Sequence, residues 1–261
     1  MLHTRTFRKS FHDVPRDWFA GNTVATQLVN SINLLFPEGE RFFVRSVRRF
    51  ESEIDDPELR AQMRGFYAQE GQHANAHERY FKAMREQGFD IDALVKLAER
   101  LLRPRLLSKE MCLSITVALE HYTAVMAELM YTDPFFARME EPVRSLLLWH
   151  AAEEIEHKAV AFDVMKQVNP SYSLRMAGYA VASIALILVW GGGTASLVRQ
   201  SKTPWRKLWR DAGEVLRNGI LGRKIFFRAL AQYVRPGFHP LTRDNFSLVR
   251  HYLEEFEREA A

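Results

Sequence analysis

Two short stretches share one spacing of acid and histidine: QEGQHANAH at residues 69–77 and WHAAEEIEHK at residues 149–158. Each contains Glu-x-x-His, and around each motif apolar residues recur at every third or fourth position, as in a helix. Residues three apart lie on the same side of an α-helix. Each stretch is therefore predicted to present a carboxylate beside an imidazole, and these two helices decide the fold.

The first motif interrupts an apolar helical stripe. The stripe follows helical spacing from end to end and consists of Leu59, Met63, Phe66, Glu70, His73, His77, Phe81 and Met84. Its two ends are apolar, as expected for a helix face that packs into a core. Its middle, Glu70, His73 and His77, is therefore predicted to lie in the interior of the protein.

The second motif interrupts a similar stripe. Its members, again at helical spacing, are Val143, Leu147, His150, Glu154, His157, Ala161 and Val164. Here too the ionisable residues stand in the middle of an apolar face. His150 lies four residues before Glu154, so it is predicted to point at the same centre as Glu154 and His157.

Two further helices each place one acid on an inward face. Glu120 stands among small and apolar residues, and Glu40 is in line with Phe43 and Val47. Ionised carboxylates on four apolar faces are costly to bury unless positive charge compensates them. Two divalent cations would neutralise four carboxylates, and neutral imidazoles would complete the coordination.

This donor set matches the one used by ferritin-like di-iron and di-manganese proteins, in which two helices give one Glu each and two give Glu-x-x-His. We therefore predict a site for two metal ions formed by Glu40, Glu70, His73, Glu120, Glu154 and His157. Carboxylates and imidazoles suit iron, with manganese or a mixed Mn/Fe pair as alternatives. The sequence separations are similar, 30 residues from Glu40 to Glu70 and 34 from Glu120 to Glu154, which indicates two similar helix pairs facing one another.

Other ionisable residues are predicted to support this centre. His77 is expected to bond to a liganding residue or to face the substrate, because it lies one turn beyond His73. Asp163 is a candidate for orienting a liganding histidine. Five acids lie mostly off the stripes and are predicted to be solvated or supporting: Glu38, Glu78, Glu128, Glu153 and Glu156.

Helix-period patterns dominate the chain and predict an all-α fold, a ferritin-like four-helix bundle with additional C-terminal helices. The first helix is expected to begin near Pro37, because proline suits the first turn of a helix. The second is expected to follow Asp56 and Pro57 and to end near Gln87. The remaining predicted helices cover residues 91–102, 107–131, 140–168 and, at the end of the chain, 243–258.

The chain is predicted to divide into a bundle with an N-terminal arm, residues 1–170, and a helical extension packed on it, residues 171–261. Residues 176–198 have no charged side chain and are long enough to span a bilayer. The alternatives are a fully buried helix or a broken helical pair, since three consecutive glycines at 191–193 argue against one straight span. The basic, amphipathic tail that follows could pack on the bundle or rest on an anionic membrane.

Composition restricts the class of protein. The 261 residues have a net charge of +4 and show no dense basic stripe interleaved with aromatics, so we expect no nucleic-acid partner. Cys112 is the single cysteine, which excludes an internal disulfide and a Cys-based zinc site and fits a reducing compartment. The polar N-terminal stretch has no apolar segment typical of a secretory signal. We expect a cytoplasmic protein with a possible association with membranes.

Four segments resemble a bacterial family described as predicted metal-dependent hydrolases: FPEGERFF, QEGQHANAH, ALEHYTA and WHAAEEIEHKAVAFDV. The resemblance covers most of residues 20–170 and implies a metal-dependent enzyme. The pattern His-x-x-x-Glu-x-x-His, from His150 to His157, also resembles the arylamine N-oxygenase class of di-iron proteins, in which an additional histidine joins one iron. That resemblance implies His150 as a seventh ligand; the alternative is a hydrogen bond from His150 to a liganding Glu.

We favour a non-haem di-iron oxygenase or oxidase that activates O2 to oxidise a hydrophobic or aromatic organic substrate. Its partners would be that substrate, O2 and an electron donor, with membrane contact through residues 176–198 and a homodimer left open. One alternative is a di-metal hydrolase of an ester, amide or phosphoester. Another is a protein that binds metal without catalysis.

Overall fold

The computed structural model describes residues 2–104 and 106–260, with side chains described up to residue 258. Within these residues the fold is all-α, and the only β-type pairing is an isolated bridge between Phe19 and Met139. The α-helices are α1 (Thr23–Arg48), α2 (Pro57–Glu86), α3 (Asp92–Leu101), α4 (Lys109–Thr132), α5 (Val143–His157), α6 (Val160–Val168), α7 (Tyr172–Gln200), α8 (Trp205–Asn218), α9 (Arg228–Tyr233) and α10 (Ser247–Ala260). A π-helical segment, Ile220–Phe227, joins α8 to α9.

The prediction that the first helix begins near Pro37 is wrong, because α1 begins at Thr23 and Pro37 lies inside it. The Asn22 side chain caps this helix by accepting a hydrogen bond from the backbone N–H of Ala25. The first half of α1 buries polar side chains, among them Asn30, which accepts a hydrogen bond from the Tyr80 hydroxyl. Buried polar residues hide the apolar period on which the sequence prediction depends.

The other predicted bundle helices agree with the structure except at one point. Asp56 caps α2 and Pro57 is its first residue, as expected. The helix predicted over 140–168 is two helices, since α5 ends at His157 and α6 begins at Val160. The break comes directly after the second Glu-x-x-His motif, in a position that helical periodicity does not reveal.

Four helical positions surround a common interior. α1 packs against α2 and α4, and the pair α5–α6 packs against both α2 and α4. The chain therefore closes a ring of helices in which the predicted inward stripes face one another. All eight members of the α2 stripe are buried.

The apolar segment 176–198 belongs to one continuous helix, α7, that runs through the three glycines and packs against α1 and α4. The buried face of α7 has glycine at two points where it comes close to α4 and α1. A Cβ added at Gly178 would come within 2.0 Å of the Ser114 hydroxyl, and one at Gly193 within 2.3 Å of the Ser31 hydroxyl.

The outer side of α7 is largely exposed. By length and composition α7 could cross a membrane, yet only 28% of its most apolar window is buried in the protein. The fully buried helix and the broken helical pair are therefore both wrong. The main hydrophobic core includes residues of the bundle and of α7. The division of the chain at residue 170 stays a prediction.

Candidate metal centre

The seven predicted ligands and His77 meet in the interior of the helix ring. They come from every side of it: Glu40 from α1, Glu70, His73 and His77 from α2, Glu120 from α4, and His150, Glu154 and His157 from α5. No member of this set is more than 3% exposed. Long-range packing thus brings together residues that are up to 117 positions apart, from Glu40 to His157.

One side of the cluster is built around His157. Its Nε2 lies 3.2 Å from Glu70 Oε1, 3.5 Å from Glu154 Oε1 and 3.7 Å from Glu120 Oε2. Three carboxylates from three helices therefore converge on a single ring nitrogen.

The other side is built around His73 and His150. His73 Nδ1 lies 3.9 Å from Glu70 Oε2 and 3.8 Å from Glu154 Oε1. His150 Nε2 lies 2.9 Å from Glu154 Oε1 and 3.6 Å from Glu40 Oε1. Glu70 thus turns one oxygen toward each side, and Glu154 Oε1 lies within 4 Å of all three imidazoles.

Donor atoms close enough to share one ion form several groups among the described residues. One group is Glu40, Glu70 and His73, and another is Glu70, Glu154 and His157. His150 also belongs to two groups, one with His73 and Glu154 and one with Glu40 and His77. The groups overlap, and Glu70 and Glu154 each belong to two of them.

Two residues orient the histidines: Gln69, which the sequence analysis missed, and Glu153, which it named only among five solvated or supporting acids. Glu153 Oε2 lies 2.9 Å from His73 Nε2, and Gln69 Oε1 lies 3.0 Å from His157 Nδ1. Each fixes the ring nitrogen that faces away from the cluster, as hydrogen-bonded partners of metal-binding histidines do. Both residues are fully buried. In the sequence each stands immediately before the Glu of a motif, but this position does not show which histidine it contacts.

His77 joins the cluster through another imidazole. Its Nε2 lies 2.6 Å from His150 Nδ1, so one of these two nitrogens donates a hydrogen bond to the other. The ring of Phe36 covers both imidazoles, with centroid distances of 4.7 Å to His77 and 4.5 Å to His150. This position agrees with the expectation that His77 bonds to a residue of the centre.

Asp163 does not reach the centre. Its Oδ1 lies 2.9 Å from Nε2 of His239, and the outward ring nitrogens of His73 and His157 bond to Glu153 and Gln69 instead. Asp163 lies on α6, beyond the break after His157, and is only partly buried, whereas the stripe members Ala161 and Val164 on the same helix are fully buried.

Of the five acids predicted to be solvated or supporting, Glu38, Glu128 and Glu153 are buried, Glu156 is partly buried and Glu78 is exposed. Glu38 and Glu128 are each paired with arginine: Glu38 with Arg41, and Glu128 with Arg228 and Arg243. Glu156 pairs with Arg5 at 2.7 Å, and the more exposed Glu78 pairs with Arg41, also at 2.7 Å.

Most polar atoms of the cluster have no hydrogen-bond partner. Both carboxylate oxygens of Glu40, Glu70 and Glu120 are buried without one, as are Glu154 Oε2, His73 Nδ1 and His157 Nε2. Buried polar groups in proteins are almost always paired, because an unpaired one loses its hydration without compensation. These unpaired oxygen and nitrogen atoms are potential metal ligands, and bound metal ions would supply the partners that they lack.

The protonation of the cluster shows the same need for positive charge. Burial raises the pKa of Glu40 and of Glu120 well above the usual range, and neighbouring carboxylates raise it further. Burial opposes charge on Glu154 too, but His157 and His150 outweigh it and hold that pKa well below its usual range. Burial and the repulsion between like charges in a dry interior therefore oppose ionisation of all four carboxylates, and bound cations would relieve this.

Two apolar cavities lie inside the fold, and the smaller one reaches the centre. A small one, of about 70 Å³, is lined by His150 and Glu154 together with apolar side chains. A larger one, of about 300 Å³, lies between α1, α3, α4 and α7 and has the exposed Leu101 and Val181 at its rim. The two cavities share lining residues, namely Ile32, Phe36, Thr123 and Met126.

The fold and site define a class: an all-α protein with a buried carboxylate–histidine centre suited to metal ions. A family model described as "predicted metal-dependent hydrolase" matches residues 3–244. The chain belongs to this family, as its four quoted segments indicated. A search of the curated proteins and a search of the solved structures gave no match.

Proposed function

We propose that the protein is an oxidoreductase that uses two iron ions at this centre to activate O2 and oxidise a hydrophobic or aromatic organic substrate. The observation that carries the proposal is the donor set, which is four carboxylates and three imidazoles, all buried and most of them without partners. Carboxylates and imidazoles suit redox-active iron or manganese. Structural zinc sites, in contrast, typically use thiolates. Their origin, two helices giving Glu and two giving Glu-x-x-His, is that of ferritin-like di-iron proteins.

The overlapping groups support a division of the proposed ligands between two ions. Glu40, Glu70 and His73 would hold one ion, with His150 beside them, and Glu70, Glu154 and His157 would hold the other, with Glu120 beside His157. When bound, the ions would supply electrons to O2, and an external electron donor would reduce the ions again. Manganese or a mixed Mn/Fe pair would use the same residues.

The protein residues hold the protons and the dry environment that this chemistry needs. Burial lowers the pKa of His77 and of His150, which favours the neutral form of both rings, and one ring donates an N–H hydrogen bond to the other across 2.6 Å. Phe36 packs over this pair and separates it from the larger cavity. We infer that Phe36 excludes water from the centre and positions the reacting part of the substrate.

The cavities support a hydrophobic substrate. Their walls are almost entirely apolar, and Thr123, which lines both, has its hydroxyl bonded to the backbone carbonyl of Glu120 at 2.9 Å. A charged or strongly polar substrate would find few groups to replace its hydration. An alkyl chain or an aromatic ring could occupy the larger cavity and extend past Phe36.

A second candidate function is hydrolysis, which the family description favours. Two metal ions can also activate water for attack on an ester, amide or phosphoester. A third candidate is metal binding without catalysis. The same residues would hold the ions in all three cases, so the metal identity and the reaction with O2 distinguish them.

The test is to express the protein with ample iron, measure the bound metals, and mix the reduced protein with O2. The proposal predicts two irons per chain and O2 uptake in proportion to the reduced iron. Tightly bound zinc with turnover of an ester or phosphoester and no O2 uptake would establish the hydrolase instead. Bound metal with neither reaction would support the non-catalytic role. Glu70→Ala serves as the inactive control, and Glu78→Ala as the matched variant of an acid outside the centre.

We also propose a cytoplasmic location, supported by the free, buried Cys112, which fits a reducing compartment. Sedimentation of the purified protein would decide whether it forms a homodimer.

A further inference from the structure

An apolar surface remains exposed on the outer side of α7. Val181, Ile184, Ile187 and Leu188 are between 43% and 67% exposed, on the side opposite the residues that pack against α1 and α4. Soluble monomers rarely leave a contiguous apolar surface of this kind uncovered.

Helix α8 extends this surface with aromatic side chains. Trp205 and Trp209 are 65% and 72% exposed and share a groove with Ile187 and Trp190 of α7. Leu216, on the same side of α8, is 76% exposed. Tryptophan combines an apolar ring with a polar N–H, which suits the boundary between lipid tails and headgroups.

Basic residues border the tryptophans. Arg206, Arg210 and Arg217 are exposed and follow Trp205, Trp209 and Leu216 by one position, about 100° further round the helix. Residues 172–235 contain eleven Lys and Arg against two acids, whereas the rest of the chain has 25 against 30. Both acids are already paired, Asp211 with Lys207 at 2.6 Å and with Arg210 at 3.5 Å, and Glu214 with Arg138. Lys224 and Arg228 are paired with Asp133 and Glu128. The positive charge beside the exposed apolar surface therefore comes from Arg206, Arg210 and Arg217.

The packing of α7 decides how such a surface can meet a membrane. Its inner face approaches α1 and α4 too closely at Gly178 and Gly193 for any side chain to intervene. α1 and α4 also carry Glu40 and Glu120 of the metal centre. Helix α7 could cross a bilayer only by separating from these helices or by taking them with it, and an amphipathic surface element instead lies in the plane of the interface.

We propose that the outer side of α7 and the tryptophan side of α8 form a docking surface for an anionic lipid bilayer. The apolar side chains enter the headgroup region, the tryptophans lie at its boundary, and the arginines pair with anionic headgroups. The exposed rim of the larger cavity, which includes Val181 and Leu101, opens beside this surface. Docking thus places the cavity mouth at the lipid boundary, where apolar molecules collect.

The test is co-sedimentation of the full-length protein with vesicles of phosphatidylcholine, with and without about one quarter phosphatidylglycerol. Binding is expected to the anionic vesicles and to weaken as salt screens the charges. Trp205→Ser/Trp209→Ser and Arg206→Glu/Arg210→Glu are each expected to weaken binding by about tenfold or more. All four side chains are exposed, so both variants should keep the circular dichroism spectrum and metal content of the parent protein.

Matched controls separate this surface from general effects. Leu241→Ser/Leu248→Ser removes exposed apolar side chains elsewhere, and Arg64→Glu/Lys82→Glu reverses charges on α2; both should bind vesicles like the parent. No binding to anionic vesicles, or equal loss in the controls, would overturn the proposal. So would a dimer that dissociates in the tryptophan variant without any vesicle binding, since a second copy would then cover the surface. The assay needs no turnover, so its outcome is independent of the proposed reaction.

Discussion

The two Glu-x-x-His motifs support each other across the helix ring. Gln69, the residue before Glu70, bonds to His157 of the other motif, and Glu153, the residue before Glu154, bonds to His73. This exchange pairs α2 with α5 residue by residue. It teaches that the two motifs form one structural unit, in which neither histidine is oriented by its own helix.

The same comparison shows where the two motifs differ. Four residues before the Glu, α5 has His150 and α2 has Phe66, whose ring packs edge-on against His157 at 5.0 Å. The histidines also differ, because His73 turns Nδ1 to the cluster and His157 turns Nε2. One side of the centre is therefore richer in imidazole and the other is closed by an aromatic ring.

The largest expected effect comes from removing an acid shared by both sides. Glu70→Ala and Glu154→Ala should each abolish metal binding, because both residues contribute to both sides of the centre. The measurement is metal content by mass spectrometry after gel filtration. Glu78→Ala and Glu255→Ala, which change more exposed acids, should keep both ions. Retention of two ions in both Glu70→Ala and Glu154→Ala would show that the ligand assignment is wrong.

A smaller effect is expected from acids that belong to one side. Glu40 approaches His150 and Glu120 approaches His157, so Glu40→Ala and Glu120→Ala should each reduce the metal content from two ions to about one per chain. Calorimetric titration of the metal-free variants with iron would give the number of metal ions bound per chain. Equal loss of both ions in either variant would mean that the two sides cannot be filled separately.

The orienting residues should have the next effect. Glu153→Gln removes a charge-assisted hydrogen bond to His73 and is expected to weaken metal affinity about 10–100-fold. Gln69→Leu removes a neutral bond to His157 and should cost less, about fivefold. Competition with a chelator measures both affinities, and Gln62→Ala, outside the cluster, is the control. A larger loss of metal affinity in Gln69→Leu than in Glu153→Gln would contradict this prediction.

The smallest effect is a pH dependence of stability. Burial lowers the pKa of His73, but Glu153 and Glu70 outweigh it and raise it to about 10 in the metal-free protein, against 6.5 ordinarily. The folded state therefore holds a proton that the unfolded state loses, and the stabilisation present below pH 6.5 disappears as pH rises toward 10. Metal binding requires deprotonated ligands and strengthens over the same range. The Tm difference between metal-loaded and metal-free protein should widen from pH 6.5 upward, and a narrowing difference would contradict this.

Much of the fold could be predicted because most helices are amphipathic. The stripe through Glu70 and His73 is buried along its whole length, and the cap at Asp56 is where the sequence places it. The start of α1 was missed because buried polar residues such as Asn30 obscure its period. The sequence also could not predict that one face of α7 is exposed, because an apolar segment has the same composition whether protein or lipid covers it.

The sequence by itself determined the all-α class, the buried acids and histidines of the centre, and the charge asymmetry of residues 172–235, because each depends on residue type and helical spacing. The tertiary structure alone decided that Gln69 and Glu153 orient the opposite histidines and that Asp163 does not reach the centre. It also decided that α7 buries one face and exposes the other. The physical reason is that these features depend on contacts between helices far apart in the chain, and helical periodicity specifies which face is apolar but not which neighbour it meets.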